Sequence, residues 1–157
     1  MTSPPSQVAH VAFSSHRFVS ICLIGLAIAL LVVGVVSGTV LRHVVQVVPI
    51  IVAEVVLTRR PAWGAYPAIP IFLFWIFIVT LIWLFLLGLS RIASGHYTVI
   101  EILSTVFIAG FSIAGVVRSL PLGKPLRPIE RMLAFILFGA LQVAAMWVSF
   151  LQPIANR

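Results

Sequence analysis

The chain has 157 residues, of which 62% are hydrophobic and only 8% charged, and its mean hydropathy is +1.22. Soluble domains carry about 25% charged residues, so this chain lacks the polar surface to face water on every side, and part of its solvent is lipid. Ten Lys and Arg against three acids give a net charge of +7; these basic residues fall in short segments between apolar runs, which marks them as orientation signals of a membrane protein and argues against a nucleic-acid partner.

Residues 1–17 are polar and turn-rich, and predict a flexible tail. Residues 18–41 form an uninterrupted apolar run. As a helix it would measure about 36 Å, enough to cross a hydrocarbon core of about 30 Å. The run is longer than the apolar core of a signal peptide and no A-x-A site follows it, so an uncleaved first span is expected. It holds Cys22, the single cysteine. One thiol excludes an intramolecular disulfide and a cysteine-based metal cluster within one chain.

The next stretch, "RHVVQVVPIIVAEVVLTRRP" over 42–61, is apolar between arginines but contains Gln46, Pro49 and Glu54. The residues between Arg42 and Arg59 would give about 24 Å of helix, just under the usual length of a span. On a helical wheel Arg42, His43, Gln46, Ala53, Glu54 and Arg60 share one arc, and most of the valines lie outside it. This pattern predicts an amphipathic helix over 43–58 lying at the membrane interface. A fifth, short span and a re-entrant segment are the alternatives.

Residues 71–89 predict the second clear span, entered through Pro67 and Pro70, where proline is tolerated at a helix start. The third covers 99–117 and the fourth 132–151, separated by the turn-rich basic segment "PLGKPLRP" over 121–128. None of these runs alternates apolar and polar residues as a membrane barrel strand does. Helices, which satisfy their own backbone in lipid, are the remaining solution. The expected fold class is therefore all-α: a polytopic membrane helix bundle in one domain over 18–151, with four transmembrane helices plus one interfacial amphipathic helix. Five transmembrane helices are the alternative, and 152–157 form a short tail.

Arg59 and Arg60 form one basic cluster, and Arg118, Lys124, Arg127 and Arg131 form another. Two crossings separate them, so they share a side, which the positive-inside rule makes cytosolic. A multi-pass protein of the plasma (inner) membrane with a non-cytoplasmic C-terminus follows. The N-terminus is outside with four spans and inside with five. Trp63 and Tyr66 at one boundary and Tyr97 at the other match interfacial aromatic belts.

Two acids are candidate functional residues, since acids within membrane segments are costly. Glu101 ends "TVIE", residues 98–101, a capping box that would place its carboxylate at a helix start. Glu54 would be solvated on an interfacial helix and would become a proton or cation ligand only if its helix crosses. Glu130, just after Pro128, reads as a first-turn acid matched to the helix dipole. Gly34 and Gly38, and Gly110 and Ala114, have the small-xxx-small spacing of helix-packing faces; Ala140, Ala144 and Ala145 offer another.

The histidines are His10, His16, His43 and His96. A haem between helices needs two that face each other; His43 and His96 would share the outer face only with five spans. No P-loop, nucleophile elbow or paired-carboxylate motif occurs, so no catalytic, cofactor-binding or metal residue is assigned and no cofactor is expected. The partners implied are the lipid bilayer and, through the small-residue faces, another membrane protein or a second copy. The function these features predict is that of a non-catalytic accessory or structural subunit. A small transporter or channel acting as a homo-oligomer is the alternative. A membrane enzyme acting on lipid or quinone, or a haem carrier, comes next.

Overall fold

A computed structural model describes residues 5–60, 63, 66–89, 97–122, 127–151 and 154, with side chains from residue 16 onward. The described residues are helical throughout, without strands: α1 (Pro5–Val36), α2 (Val40–Arg59), α3 (Ala68–Leu86), α4 (Val99–Ser119) and α5 (Pro128–Ser149), with a short 3-10 turn at Leu120–Leu122. Five helices are long and apolar enough to cross a membrane. The all-α membrane bundle expected from the sequence is the fold.

Element boundaries follow local chemistry. α1 starts at Pro5, so helix extends through much of the segment read as a tail, and it stops at Val36, short of residue 41. Gly38 stops it: its φ of 68° closes the helix, with the Thr39 N–H donating to the Gly34 carbonyl at 2.8 Å. Gly88 (φ 72°) ends α3 in the same way, with Leu89 N–H bonded to the Leu84 carbonyl at 2.8 Å. At α4 the Thr98 hydroxyl accepts from the Glu101 amide while the Glu101 carboxylate accepts from the Thr98 amide, a complete capping box. α2 is continuous through Pro49 over 20 residues, longer at both ends than the expected 43–58.

The helices close into a ring in the order α1, α2, α5, α3, α4 and back to α1. Neighbours in sequence are not all neighbours in space, since α2 meets α3 only slightly. Contacts along the ring show which helix ends lie together. Gly34 packs on His43 and Gln46 bonds Ser149 at one end. Arg118 lies over Phe18 and Arg131 over Tyr66 at the other. The first is called here the turn end, after the 37–39 turn, and the second the basic end.

Around an apolar core, α4 buries polar side chains and exposes apolar ones, unlike a helix of a water-soluble bundle. The inward stripe of α4 is Glu101, Thr105, Ile108, Ser112, Gly115 and Ser119, whereas Val99, Leu103, Val106, Phe107, Ile113 and Val117 are exposed. In water this arrangement would expose oil and bury hydroxyls. In lipid it is favourable, because an outward polar group would have no partner. α2 follows the same logic. Gln46, Val47, Pro49, Ile50, Ala53 and Leu57 face the bundle, with Arg42, His43 and Glu54 half-buried beside them, while Val44, Val48, Val52 and Val55 are exposed. The polar arc read from the sequence is thus turned inward and the valine face outward.

Candidate functional site

The ring forms a partly open cavity of about 230 Å³ toward the turn end, and all five helices contribute to its wall. α1 supplies Leu30 and Val33, α2 supplies Arg42, His43 and Gln46, and α3 supplies Trp75, Ile78, Val79 and Ile82. α4 supplies Glu101, Thr105 and Ile108, α5 supplies Met146, and Tyr97 precedes α4. Apolar side chains form the wall and a few polar groups converge within it, the usual composition of a ligand site.

Each polar group has a defined position. Arg42 stacks its guanidinium on the Phe150 ring, 3.9 Å from the centroid, and its buried Nε has no hydrogen-bond partner. The His43 ring bonds through Nδ1 to the Thr39 carbonyl at 3.0 Å, with the Thr39 hydroxyl at 3.2 Å. A carbonyl can only accept, so in that bond Nδ1 is the donor. Gln46, 2% exposed, donates to the Ser149 hydroxyl at 2.9 Å and ties α2 to α5. Thr105 accepts from the Trp83 indole at 3.0 Å and donates to the Ile102 carbonyl at 2.7 Å. Trp75 is 4% exposed and its indole N–H has no partner. Burial, and then the nearby Glu101 carboxylate, raise the Tyr97 phenol above its ordinary value, so it stays protonated at neutral pH.

The residues singled out from the sequence are placed as follows. Glu101 is buried at the cavity wall; its Oε2 accepts from the Thr98 amide at 2.6 Å and the Thr98 hydroxyl at 2.8 Å. Capping and cavity lining are both true of it. Glu54 lies nearer the basic end, where one carboxylate oxygen accepts from the Ser20 hydroxyl and the other is buried without a partner. The two acids do not share a site. Gly34 is buried under His43, and an added Cβ would lie 2.8 Å from that ring's Cβ, so α1 and α2 approach closely within this chain. Gly38 sits in the turn after α1 and not on its face. Gly110 is open, with nothing within 4 Å of an added Cβ, and Ala114 packs against the core. The Glu130 carboxylate accepts from the Arg127 amide at 3.0 Å at the start of α5. Among the other histidines, His16 is described near the basic end, while His96 and the His10 side chain lie outside the described residues.

Sequence reasoning missed the participation of Arg42, Trp75 and Tyr97. The signal for Arg42 was the polar arc of α2; Trp75 had none, because it sits among many aromatics in a uniformly apolar run. No group of three or more His, Cys, Asp and Glu that could hold a metal occurs among the described residues.

Five apolar helices with inward polar groups define a multi-pass helical membrane protein. No family model, curated protein or solved structure matches the chain.

Proposed function

We propose that this chain is a non-catalytic integral membrane protein that works by binding: it crosses the membrane five times and holds a small guest in the cavity at its turn end. The carrying observation is the cavity itself, built by every helix, with Arg42, His43, Gln46 and Glu101 among the residues that line it. Charged and polar groups gathered in an apolar wall are costly without a complement, and a guest that bonds them offsets that cost.

The inward polar arc of α2 supports the fifth crossing. A helix lying at the interface would turn Gln46 and Glu54 to water and its valines to lipid. In this bundle the valines face out, and Gln46 reaches α5. Five crossings put the N-terminus and the basic end, with Arg59, Arg60, Arg118, Arg127 and Arg131, on the cytosolic side, which is the sense of the positive-inside rule. The cavity and the C-terminus then belong to the outer side of the plasma membrane.

Native mass spectrometry of the chain released from mild detergent tests the binding role. The wild type is expected to retain a discrete small-molecule mass that Ile82→Trp, which fills the cavity, excludes. Identical bare masses for both would overturn it. In the accessory role the chain associates in the membrane plane with a larger membrane protein or with itself. Cross-linking in native membranes that yields only monomer would remove that role.

Transport is the second reading. It is favoured by Ser112 and Gln142, fully buried with partnerless polar atoms, and by Ser119 beyond them toward the basic end. They extend a polar interior past the cavity. Solute flux into liposomes that Gln142→Leu abolishes would promote this reading; no flux would leave the chain a binder.

A further inference from the structure

The cavity holds two opposite charges that do not meet. Glu101 gives its bonds to Thr98, and Arg42 makes its contact with Phe150. Among the described residues no carboxylate lies within ion-pair distance of Arg42, although both charges line the same cavity. Separated charges within a low-dielectric wall are costly, and they attract strongly whatever complements them. Arg42 lies at the start of α2 and Glu101 at the start of α4, so the two charges enter the wall from different helices. The site therefore has a guanidinium that calls for an anionic group and a carboxylate that calls for a protonated amine.

Resting on the binding role proposed above, we infer that the guest is a small zwitterion, its anionic group on Arg42 and its primary ammonium on Glu101. A single anion would leave Glu101 facing it unpaired, and a single amine would leave Arg42 so. A molecule carrying both charges settles both costs at once. Two sources share this chemistry: a free small zwitterion such as an amino acid or phosphoethanolamine, and the head group of an aminophospholipid. For the lipid source, an apolar groove between α3 and α4 adjoins the cavity, with Val79 lining both, and would take an acyl chain.

The test uses the full chain in a non-ionic detergent, titrated calorimetrically with phosphoethanolamine, with inorganic phosphate and with ethanolamine. Phosphoethanolamine is expected to bind at least about tenfold more tightly than either half, in keeping with the weight of hydrogen bonds to charged groups. Arg42→Gln should reduce it to the level of ethanolamine, and Glu101→Gln, which keeps the capping box, to the level of phosphate. Arg42→Lys, which keeps the positive charge, should retain most of the affinity and shows that a loss in Arg42→Gln is not unfolding. In a second arm the chain is reconstituted in nanodiscs of phosphatidylethanolamine mixed equally with phosphatidylcholine, whose quaternary amine cannot donate. Selective retention of the former in mass spectra, without binding of free phosphoethanolamine, identifies the lipid source; binding in solution identifies the free one. Phosphate alone binding as tightly as phosphoethanolamine would overturn the inference in favour of a plain anion site. So would failure of both arms. If both arms fail while the wild type still retains a guest that Ile82→Trp excludes, the binding role stands without the zwitterion; if no guest is retained, both fall.

Discussion

Toward the basic end of the bundle, α3 and α4 meet through a glycine seated on an aromatic ring; at the turn end, α1 and α2 also approach closely at Gly34, but the ring as a whole opens around a cavity. A Cβ on Gly115 would lie 2.4 Å from the Phe72 ring, and one on Gly25, nearer the middle of the bundle, 2.6 Å from Phe111. Phe72 is fully buried and has no room to yield. At the other end Arg42, His43, Tyr97 and Glu101 stand around about 230 Å³ of unfilled space. Lipid offers no hydrophobic drive for helices to associate, so close packing through small residues supplies much of the stability. The close-packed end therefore reads as the anchor of the fold. The open end, where charged and polar groups line a cavity, is where a function is to be sought.

Substitutions at the packed end should have the largest effects. Gly115→Val should destabilise by about 3 kcal/mol, at the upper end for overpacking, seen as a fall in the thermal midpoint in detergent. A fall no larger than that of a cavity variant would erase the distinction between the ends. Next comes Glu101→Ala, which removes the capping box and should cost about 1 kcal/mol, while Glu101→Gln should cost much less. Equal losses for the two would mean that Glu101 carries a charge-dependent structural role beyond the cap. Gln46→Leu breaks the bond to Ser149 and should cost about 0.6 kcal/mol, the typical worth of a hydrogen bond between membrane helices. A larger loss would make the α2–α5 contact an anchor as well. Gly110→Ala should be smallest, within about 0.5 kcal/mol and in the stabilising direction, because nothing lies near its added Cβ and alanine favours helix. If it instead weakens a cross-linked dimer, the open face of α4 around Gly110 is where copies meet.

Much of this contrast was only half legible in the sequence. α3, α4 and α5 were visible because lipid demands long apolar runs; α4 begins at the expected residue 99, and the other limits differ from the expected ones by two to four residues. The Glu101 capping box was readable because it depends on spacing within one turn. The end of α1 was displaced because Gly34 and Gly38 were read as one helix face, whereas the chain uses Gly38 to turn. The polar arc of α2 was seen, but a wheel does not say whether the arc meets water or other helices. That depends on Gln46 finding Ser149 and Glu54 finding Ser20, encounters between distant parts of the chain. The cavity is illegible for the same reason: Arg42 and Glu101 come together only when the ring of five helices closes.

The account rests on α2 crossing the membrane, and its hairpin with α1 offers the most direct test. Cys22 is the single native cysteine, so Cys22→Ala provides a background in which Thr39→Cys and Arg60→Cys can each be probed on intact cells with a membrane-impermeant maleimide. Five crossings predict that Thr39→Cys is labelled from outside and that Arg60→Cys is labelled only after the membrane is opened. Protection of both positions in intact cells would put the 37–39 turn in the cytosol, return α2 to the interface, and contradict the placement of the cavity at the outer face.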